Sequence, residues 1–450
     1  MKLAKKTETN FSQGRYWQET EIEVTECTDP MEMIQLIPEV VDQEVEGFGG
    51  AFTEASAYNY AKLGKKEKQD FIRDYFGDDG LRYNMGRITI NSCDFALGNY
   101  TYVEEGDSTL DSFSVLHDEL EIIPMIRAAM NCCSDRMKFL ASPWSPPAYM
   151  KTNGEMNHGG QLKKEAGKLW ADYFVRFIRE YKNLGIRISA VTVQNEPEAV
   201  QTWDSCTYTA EEEGGFVAEH LGPAMEKAGL SDVDIYVWDH NKERLYQRYR
   251  DAVSVKDAGK YIRGAAMHWY TGDHFDAIEI LKKCYPEAKL LFSEGCVEYS
   301  RFADSGEVKK AEMYAHDMIG NFRGGIHGFL DWNLLLDEKG GPNHVGNFCA
   351  APVMLLEEGG YEKKLMYYYI GQFSRYIGRG SRKIATTQYT DALDVCAFLT
   401  PEKERILIVL NRMDEDRHVV IREEQSGFED VVLSHSIVTY RIPDGEYNIT

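Results

Sequence analysis

The sequence predicts a (β/α)8 barrel, an α/β fold, with a smaller antiparallel β-sandwich domain packed at its side. From about residue 45 to about residue 378, short apolar runs alternate with longer amphipathic stretches, as in repeated βα units. Eight strand candidates occur in this region, the number that closes such a barrel. The two ends of the chain show strand alternation without helices between the strands, which indicates a separate β-domain.

The eight candidate strands are short and rich in apolar or β-branched residues. In chain order they are VEGFGGAF (45–52), LRYNMGRITI (81–90), MKFLAS (137–142), RISAVTVQ (187–194), VDIYVWD (233–239), YIRGAAMHW (261–269), AKLLFSE (288–294) and GIHGFLDWN (325–333). Helical spacing is clearest between the third and fourth strands, over residues 163–185. The apolar positions there are Leu169, Tyr173, Phe174, Phe177 and Ile178, and Gly185 suits the end of that helix.

The flanking segments predict one β-domain assembled from both termini. Residues 1–40 include EIEVTECTDPMEMIQLI (21–37), and residues 379–450 include the strand-like runs RILIVLNR (405–412) and HSIVTYRI (435–442). Both regions alternate apolar and polar residues between turn residues. The expected domains are therefore 1–40 and 379–450 for the β-domain and 41–378 for the barrel.

The composition disfavours several kinds of partner. Fifty Lys and Arg against 73 Asp and Glu give a net charge of -23, which would repel nucleic acid and anionic lipid. No apolar run of about 18 residues predicts a membrane span, and the start MKLAKKTETNFSQGRYW lacks the apolar region of a signal peptide, so a cytoplasmic protein is expected. Nine cysteines without CxxC spacing indicate free thiols in a reducing compartment; the oligomeric state stays open.

Two glutamates stand at the ends of predicted strands. Glu196 follows the fourth candidate strand in VTVQNEPEAV, and Glu294 ends the seventh in AKLLFSE. Because the carboxyl ends of barrel strands meet at one mouth, both side chains are expected in one site. Alone, either glutamate would read as a solvated or ion-paired residue. As a pair, they can divide the work of glycoside hydrolysis, one as general acid and the other as nucleophile.

Seven segments carry a family resemblance. They are QNEP (194–197), SEGC (293–296), GFGGAFTEASA (47–57), YNMGRITINSCDF (83–95), ASPWSPPAYMKTNG (141–154), HWYTGDH (268–274) and DWNLLLDEKGGPNH (331–344). Together they resemble glycoside hydrolase family 30, the glucosylceramidase-like enzymes of clan A, over nearly the whole chain. The resemblance implies a retaining β-glycosidase, above all for β-glucosides, that needs no metal or cofactor. It implies Glu196 as the acid/base and Glu294 as the nucleophile.

The resemblance also implies roles for nine further residues. Arg87, inside the second predicted strand, should pair with a carboxylate such as Glu294, because an unpaired buried charge is costly. Cys296 would support the nucleophile. Each of these residues, taken alone, also fits a packed aromatic, a satisfied core histidine or a structural ion pair. The positions implied to bind the sugar are Asp94, Trp144, Asn195, His268, Tyr270, Trp332 and Asn343.

Three departures from the family pattern concern the leaving group rather than the two glutamates. Tyr149 and His344 stand where many members have Trp, and Thr89 stands where proline is common. These differences argue against assuming a ceramide substrate. The alternatives within the family are an endo-acting β-1,6-glucanase, a β-xylosidase and a β-fucosidase.

Two readings from other classes compete with this one. A metal-dependent hydrolase is suggested by His240, His268, His274 and Asp276 near the ends of strands five and six, although no HExxH spacing supports it. A carbohydrate-binding protein without catalysis would also use an aromatic cleft, but it would not need both glutamates.

The neighbours of the two glutamates lead to an expectation about their ionisation. Glu294 is expected among donors or charges, namely Tyr270 and Arg87 or His268, that favour its carboxylate. Glu196 is expected against apolar or aromatic walls that favour its protonated form.

Overall fold

The computed structural model describes residues 2–26 and 33–444, so parts of the two predicted terminal segments (1, 27–32 and 445–450) lie outside the described residues. The strands are β1 Lys2–Asn10, β2 Arg15–Glu26, β3 Met33–Glu44, β4 Gly47–Ala51, β5 Met85–Ile90, β6 Lys138–Pro143, β7 Ile188–Thr192, β8 Asp234–Asn241, β9 Ile262–His268, β10 Lys289–Glu294, β11 Val297–Glu298, β12 Gly328–Asn333, β13 Cys349–Ala350, β14 Val353–Leu355, β15 Tyr361–Lys363, β16 Arg382–Gln388, β17 Leu393–Leu399, β18 Arg405–Asn411, β19 Arg417–Glu423, β20 Ser426–Val432 and β21 Ser436–Ile442. The α-helices are α1 Glu54–Lys62, α2 Lys65–Phe76, α3 Leu116–Leu120, α4 Ile122–Cys132, α5 Gly167–Asn183, α6 Ala210–Phe216, α7 Gly222–Lys227, α8 Leu245–Ser254, α9 Phe275–Cys284, α10 Tyr299–Phe302, α11 Glu307–Gly324 and α12 Leu365–Ser374.

Eight parallel strands close into the predicted barrel, and all eight candidate strands are confirmed. The order is β4, β5, β6, β7, β8, β9, β10 and β12, and β12 closes the ring by pairing with β4. Apolar side chains from seven of these strands, including Met85, Leu140, Tyr236 and Leu291, form one cluster. This cluster makes the barrel a packed core rather than a pore, and it leaves the C-terminal mouth as the place for a site.

The helix predicted over residues 163–185 is α5. Its buried face includes Tyr173, Phe174, Phe177 and Ile178, while Leu169 is half-buried at the edge of that face. Gly185 follows the helix with φ of +86° and donates its N–H to the carbonyl of Lys182. A side chain at that φ would be strained, so the glycine sets the end of the helix.

The predicted β-domain is confirmed as a unit built from both chain ends. Its nine strands, β1–β3 and β16–β21, are hydrogen-bonded in a closed order in which β1 pairs with β21. Pairing is antiparallel except between β3 and β19, which run parallel and correct the expectation of a wholly antiparallel domain. Strand β3 passes the predicted boundary at residue 40, because Glu44 still pairs with Arg382 of β16.

Helix α12 joins the two domains. The buried amide of Gln372 donates to the hydroxyl of Thr9 at 2.9 Å and accepts from the hydroxyl of Thr439 at 2.7 Å. On α11, the ring of Phe322 packs edge-on against that of Phe398 on β17. These contacts fix the β-domain against the outer helices of the barrel. Within residues 2–26 and 33–444, no helix combines the length and apolarity that crossing a membrane requires.

Candidate active site

Glu196 and Glu294 meet at the C-terminal mouth of the barrel. Glu294 is the last residue of β10, and Glu196 lies four residues past the end of β7. Glu196 has φ of +47°, and its N–H donates to the carbonyl of Asp239 on β8 at 3.0 Å, which fixes its loop against the next strand. One Oε1 atom of each glutamate lies near the same nitrogen, His268 Nδ1, at 3.2 Å for Glu196 and 3.9 Å for Glu294. The two oxygens are therefore at most about 7 Å apart, the sum of those distances.

Arg87 on β5 is fully buried and organises the nucleophile candidate. Its guanidinium donates to Glu294 Oε2 at 2.5 Å, to Asp239 Oδ2 at 2.8 Å and to Asn195 Oδ1 at 2.9 Å. The guanidinium carbon also lies 4.7 Å from the ring centre of Trp144. The predicted pairing of Arg87 with Glu294 is present, and the planar fork of arginine holds three acceptors in fixed positions.

Asp239 is a site residue that the sequence analysis missed. It is fully buried on β8 and accepts hydrogen bonds from Arg87, from Ser293 at 2.6 Å and from Thr192 at 2.7 Å. His268 Nε2 lies 3.1 Å from Asp239 Oδ1, the oxygen that also accepts from Ser293. Burial opposes the charge, but Arg87 and His268 outweigh burial and hold the pKa of Asp239 well below its usual range. Asp239 is the last residue of the candidate strand VDIYVWD, so the expectation that side chains at strand ends face the mouth could have pointed to it.

Two imidazoles contact Glu196 in place of the expected apolar walls. His268 Nδ1 lies 3.2 Å from Glu196 Oε1, and His240 Nδ1 lies 3.6 Å from the same oxygen. Burial alone would lower the pKa of His268, but Glu294, Asp239 and Glu196 raise it to about 9. His268 was predicted as a sugar-binding residue, and the structure places it between the two carboxylates.

The expected direction of ionisation is wrong for both glutamates. Burial would raise the pKa of Glu196, but His240 and His268 outweigh burial and lower it. Burial raises the pKa of Glu294 above its usual value, and the charges of His268 and Arg87 offset only part of that effect. The expected donors to Glu294 are nevertheless present, since the phenol of Tyr270 donates to its Oε1 at 2.8 Å. The expectation for Glu196 was wrong because the side chains that contact it are imidazoles and not apolar or aromatic groups.

Aromatic and amide side chains form the remaining walls. The rings of Trp144 and Trp332 stack 5.2 Å apart, and both belong to one apolar cluster with the half-buried Trp203. Asp94 accepts from the amide of Asn347 at 3.0 Å. Burial and the nearby charge of Glu294 raise the pKa of Asp94 to about 8. The cavity holds about 180 Å³, and its lining includes Asp94, Trp144, Asn195, Glu196, Trp203, His240, Tyr270, Glu294, Cys296, Trp332 and Asn347.

Asn343 does not line this cavity, although the sequence analysis placed it among the sugar-binding residues. Its side-chain oxygen accepts the backbone N–H groups of Val345 and Asn347, and its amide donates to Asp94 Oδ2 at 3.4 Å, so Asn343 lies directly beside the cavity. Asn347 lines the cavity and donates to the same oxygen of Asp94. The contact of Asn347 with the cavity depends on the path of that loop, which no local sequence pattern marks.

Cys296 lies next to the nucleophile candidate, as predicted. Its sulfur is 3.5 Å from the phenol oxygen of Tyr270. Cys349 lies beside the same cavity on the short strand β13, whose pairing with β11 brings it opposite Glu298. Both cysteines are free and buried.

The residues considered for a metal-dependent hydrolase separate into two groups. His240 and His268 meet at Glu196, as described above. His274 is exposed at the start of α9 and bonds the carbonyl of Thr271, and Asp276 is the second residue of that helix. The structure thus does not unite all four candidates.

Two of the three positions that depart from the family pattern connect loops around the cavity. The phenol of Tyr149 donates to the carbonyl of Asp107 at 2.6 Å, which joins the loops after β6 and β5. His344 Nδ1 lies 3.1 Å from the carbonyl oxygen of Ala96, which joins the loops after β12 and β5. Thr89 is buried within β5.

A barrel mouth with two facing carboxylates, a buried arginine and tryptophan walls defines a glycoside hydrolase. Residues 45–377 match the model of the glycosyl hydrolase family 30 TIM-barrel domain, and residues 380–440 match that of the glycosyl hydrolase family 30 beta sandwich domain. The chain therefore belongs to glycosyl hydrolase family 30.

Relatives and solved structures agree with this assignment. Mouse lysosomal acid glucosylceramidase is 34% identical over 428 residues, which cover 91% of this chain and 83% of that protein. The crystal structure of SrfJ from Salmonella typhimurium is 38% identical, with a TM-score of 0.95 over 98% of this chain and 100% of that one. An endo-β1,6-glucanase structure is 28% identical, with a TM-score of 0.89 over 99% and 100% of the two chains. The chain is a β-glycoside hydrolase and acts on a carbohydrate substrate.

Proposed function

We propose that this enzyme hydrolyses β-glucosides with retention of configuration, with Glu294 as nucleophile and Glu196 as acid/base. The observation that carries the proposal is the contact of both carboxylates with one nitrogen, His268 Nδ1, which limits their oxygens to a separation of about 7 Å. Retaining glycosidases hold the two groups about 5–5.5 Å apart, whereas inverting enzymes need about 6.5–9.5 Å to admit a water. The retaining separation lies within this limit.

In the first step, Glu294 attacks the anomeric carbon and the glycosidic bond to the leaving oxygen breaks. Arg87 and Tyr270 hold the two oxygens of Glu294 in place, so the carboxylate needs little reorientation before it attacks. The product of this step is a glycosyl ester on Glu294.

The proton for the leaving group comes from the contact between His268 and Glu196. His268, with its raised pKa, holds a proton 3.2 Å from Glu196 Oε1. The hydrogen-bonded pair, rather than an isolated carboxyl group, is then the proton source for the leaving oxygen. In the second step, Glu196 accepts a proton from the water that cleaves the glycosyl ester, which frees Glu294.

The size of the cavity supports action on a single terminal sugar or a short chain. Its volume of about 180 Å³ lies below the roughly 300–1,000 Å³ of pockets for drug-sized ligands, so it suits one sugar ring. The aglycone would then lie outside, against the loops that Tyr149 and His344 connect. The name of the mouse relative suggests glucosylceramide as one aglycone class to test, within sphingolipid metabolism.

A second candidate is an endo-acting β-1,6-glucanase. The solved endo-β1,6-glucanase that resembles this chain over nearly its full length favours it. A panel of an aryl β-glucoside, glucosylceramide, gentio-oligosaccharides and long β-1,6-glucan separates the two. We expect release of single glucose units from short substrates, whereas mixed oligosaccharides from the long glucan would support the endo reading.

The roles of the two glutamates are tested by Glu294→Gln and Glu196→Ala. Glu294→Gln should lose activity by several orders of magnitude and form no covalent adduct with a fluorinated glucoside that labels the wild type. Glu196→Ala should still react with substrates that have very good leaving groups, and azide should rescue it to a β-glucosyl azide. Glu243→Gln, an exposed acid near the same mouth, is the matched control and should keep wild-type activity. An inverted product seen by NMR during turnover would refute the mechanism.

A cytoplasmic, reducing location is also proposed. The eight cysteines within the described residues are free, and several of them, such as Cys296, are buried near the site. Cell fractionation with a thiol-alkylating reagent tests this, and recovery of the protein only from an oxidising compartment would contradict it.

A further inference from the structure

His240 is the least explained residue of the cavity. Its Nδ1 atom is buried and has no hydrogen-bond partner among the residues that the structure describes. Its ring lies 5.0 Å from that of Trp238 and 6.3 Å from that of His268, so packing holds it beside Glu196. A buried nitrogen without a partner is costly unless a ligand uses it.

The atoms around His240 have the spacing of metal ligands. Glu196, His240 and His268 can each offer one ligand atom, and the three atoms lie within 4.8 Å of one another. Two ligands of a tetrahedral zinc ion, each at about 2.0–2.2 Å, are about 3.3 Å apart. The distances from Glu196 Oε1 to the Nδ1 atoms of His268 and His240 are 3.2 Å and 3.6 Å. Two of the three ligand distances therefore already match a zinc ion, and the third, between the two imidazoles, is at most 4.8 Å.

His268 is also oriented as a ligand. Its Nε2 faces Asp239 at 3.1 Å, so a neutral ring that donates from Nε2 turns the lone pair of Nδ1 toward Glu196. Histidines that bind metals commonly donate their second N–H to a carboxylate in this way. Asp239 is itself held by Arg87, Thr192 and Ser293, so the orientation of the ring is fixed.

We propose that Glu196, His240 and His268 form an inhibitory site for a divalent transition-metal ion of the zinc type. Two imidazoles and one carboxylate are a common ligand set for zinc with one position left open. The open position faces the sugar cavity, which His240 and Glu196 both line. The bound ion replaces the proton between His268 and Glu196 and occupies the acid/base. Metal-free enzyme is then the active form.

Charge also favours a cation here. The carboxylates of Glu196, Asp239 and Glu294 line the cavity or lie directly behind it, and they outnumber the cations Arg87 and His268. An ion that keeps hard oxygen ligands, such as Mg²⁺, would not choose two imidazoles, so the site should discriminate against Mg²⁺.

The first experiment measures metal binding itself. Wild-type enzyme is dialysed against EDTA, freed of chelator and titrated with ZnCl2 by calorimetry, and Co²⁺ is followed by its visible absorption. We expect one tight site per chain, tetrahedral Co²⁺ bands and no matching signal with MgCl2. His240→Phe and His240→Gln should each weaken zinc binding at least about 10-fold, as loss of one of three ligands requires. His274→Ala, an exposed histidine outside the cluster, is the matched control and should bind zinc as the wild type does.

The second experiment links binding to activity. Zinc should inhibit hydrolysis of an aryl β-glucoside over the concentration range in which it binds, and EDTA should reverse the inhibition. If both His240 variants bound zinc with the affinity of the wild type and had unchanged melting temperatures, the proposed site would be overturned. Loss of activity with EDTA and its recovery with zinc would overturn the inhibitory role. Labelling of Glu294 by the fluorinated glucoside in the metal-free enzyme is independent of these outcomes, so a failure here is separate from a failure of the catalytic proposal.

Discussion

Arg87 and Asp239 form an ion pair of 2.8 Å in which neither side chain is exposed to solvent. The same guanidinium binds Glu294, so the pair connects the floor of the barrel mouth to the proposed nucleophile. Burial of such an ion pair carries a desolvation penalty. Its contribution here is that it fixes the orientation of Glu294.

Arg87→Lys is expected to reduce kcat by roughly 10²- to 10³-fold, because lysine keeps the charge but loses the planar fork that holds three acceptors. Steady-state kinetics on an aryl β-glucoside measures this, with circular dichroism to confirm folding. Arg82→Lys, an exposed arginine near the start of the same strand, serves as the control. Activity within twofold of wild type would show that the fork does not position Glu294.

Tyr270→Phe should shift the acidic limb of the kcat/KM profile to higher pH and reduce kcat roughly 10- to 100-fold. The phenol stabilises the charged form of Glu294, and burial already raises the pKa of Glu294, so loss of the donor raises it further. Profiles between pH 4 and pH 9 test this, and Tyr389→Phe, a largely exposed phenol, is the control. An acidic limb that stays in place would mean that another group titrates there.

Glu46→Gln should destabilise the enzyme by about 3 kcal/mol at pH 7. Burial opposes ionisation, but Lys289 and Lys138 hold the pKa of Glu46 at about 2, against an ordinary value of 4.5. A lowered pKa gives stability that is complete above pH 4.5 and is lost as pH falls toward 2. The difference in the free energy of unfolding between wild type and variant, measured by urea unfolding, should therefore be larger at pH 7 than at pH 3. Equal differences at the two pH values would contradict a contribution of these ion pairs to stability.

Asp118→Asn tests a buried carboxylate in the chain segment after β5. Asp118 accepts hydrogen bonds from Tyr102 and Tyr181, each at 2.6 Å, and burial still raises its pKa to about 6. A raised pKa gives stability that is complete below its ordinary value of 3.8 and is lost as pH rises through 6. The melting temperature of the variant relative to wild type should thus increase between pH 4 and pH 7. Asp111→Asn, exposed in the same segment, should show no such trend.

The barrel and the two glutamates could be predicted because their signals are local. Each strand is marked by a short apolar run, and a glutamate at the end of such a run must face the mouth. Glu196 and Glu294 were found in this way, and Arg87 followed from the cost of a charge within a strand.

The contact of His240 with Glu196 was not predictable in the same way. The pairing of β8 with β9 shifts register between Trp238 and His240, and both Trp238 and Asp239 have positive φ. This irregularity places the side chain of Asp239 among its buried donors, Arg87, Thr192 and Ser293, and the side chain of His240 at the cavity. A regular strand would have sent two successive side chains to opposite faces, so no period-2 pattern could indicate both.

The interleaving of the chain ends in the β-domain also affects the order of biosynthesis. Strand β3 pairs with β16 and β19, which leave the ribosome only after residues 45–381 have been made. At about 5–20 residues per second this is a wait on the order of 20 to 70 s. During that time β1–β3 expose unpaired backbone, while the barrel can already close. A nascent chain stalled before residue 382 should therefore hold a protease-resistant barrel with a cleavable amino-terminal segment.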